Sequence, residues 1–341
     1  MRPGSVPWRT RIGVPLACLL LLAGATACDP TPTSPVSNSP ATCPTVFTTT
    51  FASTLASRYP GVKITAAVHD TATDCWYLLN PSLRITTASV IKAQVLGAVL
   101  LKAQRARRAT TAWEQARITP MISLSWNPPT SELYAHVGSA SGMAATDAAF
   151  GAIETTHTAT YGLTRSSAAD RTRVAERLLY GGGALLPAGR SDAWAAMTAV
   201  HPLQRWGITA GVPGTWTVAL KNGFYPANGL GWRVGSTGFV RRNSSGEGYA
   251  ITVMTESVGN QVTGIAAVET VSRQVAGVLA PGTPAARTVD TATCVTVRSG
   301  ETWTAIATRL GVATSRATEI RDQAGGNTSP LTGQRACRPL S

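Results

Sequence analysis

Thr87-Ala88-Ser89-Val90-Ile91-Lys92 opens the stretch whose reading decides the fold, and Ala93-Gln94-Val95-Leu96-Gly97-Ala98-Val99-Leu100-Leu101-Lys102-Ala103-Gln104 completes it. From Ser89 to Gln104 nearly every position is apolar, the mark of a helix buried on all sides at the centre of a domain. Ser89 and Lys92 are three apart, so they share one face of that helix. If Ser89 opens the helix, its hydroxyl lies in the positive field of the N-terminus. A lysine held among apolar side chains has its charged form disfavoured by desolvation, which makes a neutral, basic amine accessible. The pair is then a hydroxyl nucleophile with an amine able to take its proton. The competing reading is a lysine that snorkels to the surface beside a serine that only caps the helix.

Two further strings bear on the choice. Ser125-Trp126-Asn127 follows Met121-Ile122-Ser123-Leu124 and precedes a helix expected over 130–137. Ser125 can relay a proton to a leaving nitrogen, and the Asn127 amide can grip a substrate amide and touch Lys92. A plain turn at Asn127-Pro128-Pro129 is the alternative. Lys221-Asn222-Gly223 stands at the end of an apolar strand expected over 215–221. Gly223 would allow close approach of a substrate backbone, and the Phe224 N–H could join that of Ser89 as an oxyanion hole. An Asn-Gly hairpin turn is the alternative there. Two of the chain's four lysines, Lys92 and Lys221, fall in these strings, in a sequence whose basic residues are otherwise almost all arginine.

The remaining pattern gives an early strand pair, 62–69 and 75–79, a helical middle with a helix from Asp170 to Leu179, then strands at 215–221, 232–240 and 249–255. A closing helix runs over 262–279. This predicts an α/β (α+β) domain: an antiparallel five-stranded sheet with helices on both faces. At 341 residues, 44% hydrophobic, the chain has room for that domain and a small second one.

The N-terminus reads as an export signal. Arg2, Arg9 and Arg11 precede an apolar run over 12–25, which ends in Ala25-Thr26-Ala27-Cys28. Its tail resembles a bacterial lipobox with Cys28 as the acylated residue; cleavage after Ala27 without acylation is the alternative. The Pro/Ser/Thr segment 29–42 is too polar to pack and reads as a tether. With Cys18 inside the signal and Cys28 at its end, four cysteines remain. They divide into an early and a late pair, favouring Cys43–Cys75 and Cys294–Cys337 as disulfides in an oxidising compartment. No two stand at zinc-ligand spacing, the four histidines show none either, and no cofactor motif is present, so neither metal nor cofactor is expected. The net charge of +13 has no dense basic run with interleaved aromatics. It fits anionic wall polymers and lipid headgroups, and not nucleic acid.

The three strings, in this order, resemble the active-site motifs of class A β-lactamases and the related penicillin-interacting serine hydrolases. The resemblance covers roughly residues 44–280, and Gly162-Leu163-Thr164 resembles the family segment after the omega loop. It implies Ser89 as nucleophile, Lys92 as base, Ser125 as proton relay, Asn127 as a substrate contact and Lys221 as electrostatic anchor. Asn222, Gly223 and Phe224 become substrate-binding positions. Trp126 replaces the family Asp, whose part is mainly structural. Asn222 replaces Thr, its amide standing in for the lost hydroxyl. The deacylating Glu of the omega loop has no counterpart, because Glu154 lacks the family's Asn four residues on, where Thr158 stands.

Residues 292–341, set off by Pro281-Gly282-Thr283-Pro284 and a linker over 281–291, resemble a LysM module of β-α-α-β order. Such modules bind N-acetylglucosamine-containing glycans, and Trp303 stands where the family commonly has Leu, either packed inward or stacked on sugar. The organisation expected is a signal peptide of lipoprotein type at 1–28, a tether to 42, a hydrolase domain at 43–280 and the module. The function expected is an exported serine hydrolase acting on β-lactams or D-alanyl-D-alanine-type amides. Peptidoglycan, through peptide stem and glycan, would be its partner, and the membrane too if Cys28 is acylated. A β-lactamase with an unfamiliar deacylation route, and a wall-binding protein with a retired catalytic domain, are the alternatives.

Overall fold

Cys43 is bonded to Cys75, so the chain enters the fold tied to its second strand. The computed structural model describes residues 42–227, 229–285 and 293–340. The signal, Cys28, most of the tether and much of the linker before residue 292 therefore lie outside the described residues. Helix α1 (Thr49–Arg58) starts where the Thr48 hydroxyl accepts from the Phe51 N–H. Strands β1 (Lys63–Asp70) and β2 (Cys75–Leu79) form an antiparallel pair, and β2 alternates buried and exposed residues as a strand at a sheet edge should.

The central segment comes next. Short strand β3 (Ile85–Thr86) leads into a 3-10 turn, Ala88–Ile91, and only then into α2 (Lys92–Arg105). The expected helix thus begins as a 3-10 turn that carries Ser89, with the Lys92 N–H donating to the Ser89 carbonyl. All of α2 except Lys102, Gln104 and Arg105 is buried. Gly97 lets the Phe150 ring lie on the helix, since a Cβ there would stand 2.6 Å from Phe150 Cζ. Around α2 pack α3 (Ala112–Ser123), α4 (Asn127–His136), α5 (Ser139–Phe150), α6 (Ala168–Leu179) and α7 (Pro187–Thr198). Helix α3 opens with a capping box between Thr111 and Glu114. Helix α4 starts at Asn127, earlier than expected, because Pro128 and Pro129 fall in the first turn where no N–H is needed. Strand β4 (Arg165–Ser166) pairs with β3.

Strands β5 (Trp216–Ala227), β6 (Gly231–Arg242) and β7 (Gly248–Val258), then α8 (Gln261–Leu279), complete the domain. The sheet order is β2-β1-β7-β6-β5, with every neighbouring pair antiparallel. Its two faces follow from the two-residue period of a strand. Val234 lies against Gly264 of α8, whereas Thr237, three residues on, donates its hydroxyl to the Arg171 carbonyl of α6. Strand β5 continues to Ala227 and does not stop at Lys221. Its pairing with β6 runs unbroken through Lys221, Asn222 and Gly223, so Asn-Gly makes no turn here.

A small unit follows: β8 (Cys294–Thr296), α9 (Trp303–Arg309), α10 (Ala317–Gln323) and β9 (Arg335–Cys337). Strands β8 and β9 are antiparallel, with Cys294 opposite and bonded to Cys337. The unit's own core is Val297, Trp303, Ile306, Leu310, Ile320 and Ala336, so Trp303 packs inward. So few apolar residues stabilise little, and the disulfide matters accordingly. It closes a separation of 43 residues, worth about 4 kcal/mol in the chain-entropy treatment. Replacing Cys294 and Cys337 by Ser is expected to make 293–340 the first region cut in limited proteolysis while the sheet domain resists. Mass spectrometry of the fragments reads the outcome.

Candidate active site

The carboxy end of α3, the 3-10 turn before α2 and the edge strand β5 converge on one cleft. Two of the residues there hold backbone conformations that side chains disfavour: Ala88 has φ +47° and Ser125 φ +63°. Each such residue costs about 1–3 kcal/mol and persists only where its surroundings fix it. At Ser125 the reason is visible, because the turn aims both its carbonyl and its hydroxyl at buried amines.

Lys92 is wholly buried. Its Nζ donates to the Ser125 carbonyl at 2.5 Å, the Trp126 carbonyl at 3.2 Å and Asn127 Oδ1 at 3.0 Å, with Ser125 Oγ at 3.4 Å. Lys221, also buried, donates to the same Ser125 Oγ at 2.9 Å and to the Asn222 carbonyl at 2.7 Å. Burial, and then the nearby Lys221 charge, hold the Lys92 amine well below the usual lysine range. Burial alone brings Lys221 down to about 7. Lys92 does not snorkel to the surface, so the competing reading fails.

Ser89 is half-buried on the cleft wall. Among the described residues its hydroxyl makes no hydrogen bond, so Lys92 is engaged with Ser125 and not with Ser89. Gly223 brings β5 against the 3-10 turn: a Cβ there would stand 2.5 Å from Val90 N and 2.8 Å from Ser89 N. Phe224 follows at the cleft. Asn222 does not. Alternation along β5 turns it the other way from Lys221, and its Nδ2 donates to the Gln204 and Trp206 carbonyls at 2.6 and 3.2 Å. Its place is inside the protein, not on the cleft expected from the motif. Glu154 pairs with Arg84 and is likewise off the cleft.

Tyr161, which sequence reasoning passed over, belongs to the site. Its hydroxyl donates to Asn127 Oδ1 at 2.9 Å, and its ring centroid lies 5.7 Å from Lys92 Nζ. Burial pushes the phenol up to about 12, so it stays a donor. The only signal was its place beside Gly162-Leu163-Thr164. The cleft, of about 320 Å³, is also lined by Gly325, Asn327 and Leu331 of the C-terminal unit. Among the described residues no carboxylate lines it. The arrangement offers a hydroxyl nucleophile, two amines of lowered basicity joined through a second hydroxyl, and a close-packed strand edge.

No protein-family model and no curated protein matches this chain. Solved structures do. PBP-A aligns with a TM-score of 0.56 at 19% identity, covering 66% of this chain and 92% of that one. A PBP-A variant described as an acyl-enzyme complex with penicillin G gives 0.55 at 19%, with the same coverages. A class A β-lactamase from Bacteroides cellulosilyticus gives 0.56 at 17%, covering 65% and 94%. At these identities the likeness is one of fold: the sheet domain has the β-lactamase-like architecture.

Gly223→Ala would drive a methyl group into the backbone of the turn that carries Ser89. Overpacking of this kind costs about 1–3 kcal/mol. The expected outcome is a lower Tm, measured by calorimetry, with β5 displaced from Ser89 in a crystal structure of the variant.

Proposed function

We propose that this chain is an exported serine hydrolase that forms an acyl-enzyme on Ser89 from β-lactams or D-alanyl-D-alanine-type amides. The observation that carries the reading is the hydrogen-bonded series Lys92–Ser125–Lys221 beside Ser89, with Gly223 closing β5 onto the nucleophile's backbone. Buried amines of lowered basicity are what a serine needs near neutral pH. Ser89 Oγ attacks the carbonyl carbon while its proton passes to the Lys92 amine. The Ser125 hydroxyl gives a proton to the leaving nitrogen and is replenished from Lys92, and the C–N bond breaks. An ester on Ser89 and a free amine result. The N–H groups of Ser89 and Phe224 hold the oxyanion between these states. Water then cleaves the ester, releasing the acid and restoring the hydroxyl. With no carboxylate on the cleft among the described residues, that second step is slow and the adduct accumulates.

Within the same proposal, residues 292–341 are a LysM-like module that holds the enzyme at peptidoglycan, and the N-terminal 28 residues direct export, with Cys28 the lipid site. Support comes from the β-α-α-β order with its disulfide staple and from the basic-apolar-small pattern before Cys28.

A fluorescent penicillin tests the core claim. The intact chain is expected to carry a covalent label that survives denaturing electrophoresis, and Ser89→Ala and Lys92→Ala to carry none. No label on the wild-type chain refutes the reading. The pH dependence of labelling is a second test. Burial and the Lys221 charge hold the Lys92 amine well below the usual lysine range, so the rising limb is displaced to lower pH than an ordinary lysine would give. Lys221 must be charged to attract the substrate carboxylate, so the labelling rate is expected to fall as pH rises through about 7. Lys221→Arg, which stays charged, should abolish that fall even if its absolute rate is lower.

A further inference from the structure

The C-terminal unit is seated on the catalytic cleft. Trp126 Nε1 donates to the Asp322 carbonyl at 2.9 Å, and its indole lies against Gly326, where a Cβ would come within 3.1 Å. Gln204 Nε2 donates to the Gln323 carbonyl at 3.0 Å. The Gln261 N–H donates to the Gly333 carbonyl at 3.0 Å, and the Arg335 N–H to Gln261 Oε1 at 2.8 Å. The segment between α10 and β9 is thereby laid along the opening, and Gly325, Asn327 and Leu331 line it.

That segment is braced from within. Buried Gln334 donates through Nε2 to the Ala324 carbonyl at 2.7 Å and accepts from the Leu331 N–H at 3.0 Å. The Trp303 indole N–H donates to the Asn327 and Thr328 carbonyls at 3.0 and 3.1 Å. Gly325 at φ +110° and Gly326 at φ +74° adopt conformations that favour glycine. A segment held at both ends and in the middle makes a wall of fixed shape.

The orientation of the Asn127 amide is determined by its donors. Its Oδ1 accepts from Lys92 Nζ and from the Tyr161 hydroxyl, so Nδ2 must be the edge turned outward. That edge donates to Asn327 Oδ1 at 3.4 Å, a long contact. The Asn327 amide is oriented in turn, with its oxygen toward Asn127. Among the described residues no hydrogen bond engages Asn327 Nδ2. Two carboxamides from opposite sides of the cleft therefore each retain an N–H for a ligand, and one carbonyl oxygen has the lone pairs to accept both.

We propose that Asn327, carried on the C-terminal unit, forms with Asn127 a paired-carboxamide clamp that selects acyl donors bearing an amide-linked acyl side chain. The clamp rests on the acyl-enzyme reading above and specifies which substrates that site prefers. The side-chain amide carbonyl accepts one N–H from Asn127 and one from Asn327, while the reacting carbonyl faces Ser89. A substrate without that amide leaves both donors unmet.

The test compares acylation of the full chain by penicillin G, which carries such an amide, and by 6-aminopenicillanic acid, which lacks it, followed by mass spectrometry of the adduct. Asn327→Ala is expected to slow penicillin G about tenfold, the loss of one good hydrogen bond, and to leave 6-aminopenicillanic acid within about twofold. Asn327→Asp keeps the acceptor for Asn127 but has no N–H to give, so it should lose the same preference. A residue that merely positioned Asn127 would keep the preference as Asp. Equal slowing of both probes, or of neither, or a preference retained in Asn327→Asp, overturns the clamp while leaving the acyl-enzyme intact. A wild-type chain that forms no adduct with either probe overturns the acyl-enzyme reading and the clamp with it.

Discussion

Two lysine amines buried within reach of one serine hydroxyl are the constraint around which the cleft is organised. Lys92 and Lys221 are almost entirely removed from water and both contact Ser125 Oγ. Like charges so placed in a medium of low polarity raise each other's cost, so the pair resists being doubly protonated. Carbonyl oxygens of Ser125, Trp126 and Asn222 and the Asn127 amide absorb the remaining charge. Supplying them requires the left-handed backbone at Ser125, and therefore the turn between α3 and α4. The strained turn and the shifted amines are one feature seen from two sides.

The departure at Trp126 makes sense in the same frame. An aspartate there would have no indole to lie on Gly326 and no N–H to give the Asp322 carbonyl. Trp126, which stands where the resembled motif has Asp, is the residue that seats the C-terminal unit. Trp303 acts in parallel from the other side: it fills that unit's small core while its N–H fixes the segment facing the cleft. A residue that departs from each resembled pattern thus serves the contact between the two parts of the chain.

What was readable in the sequence follows the range of the interactions. Ser89 and Lys92 were legible because a serine and a lysine three apart open a mostly apolar stretch and stand in order with the two later strings. The five strands were legible from alternation and from β-branched runs, and short connections make β1–β2, β5–β6 and β6–β7 antiparallel neighbours. Lys221 was placed at the end of an apolar strand over 215–221, with an Asn222-Gly223 turn as the alternative. The structure overrides it, since pairing with β6 continues and Gly223 is required for approach to Ser89 and not for a bend. Asn222 was put on the cleft by motif position, yet a strand that points Lys221 at Ser125 must turn the next side chain away. Tyr161 and Asn327 were invisible for a different reason. Their roles depend on partners 34 and 200 residues away, and no local pattern encodes such a meeting.

The composition of the cleft also bears on how an ester at Ser89 would meet water. A hydrolytic water needs a base, and among the described residues the cleft lining holds no carboxylate. The Lys92 amine regains its lone pair once the leaving nitrogen has taken its proton, so it is chemically competent for a second abstraction. Its surroundings oppose this. Three oxygens other than the Ser125 hydroxyl hold the amine, and the Tyr161 ring covers one approach. On the proposed function, the bonds that hold Lys92 toward Ser125 would keep it from a water on the ester's far face. On that same proposal, a site arranged this way would favour forming the acyl-enzyme over resolving it.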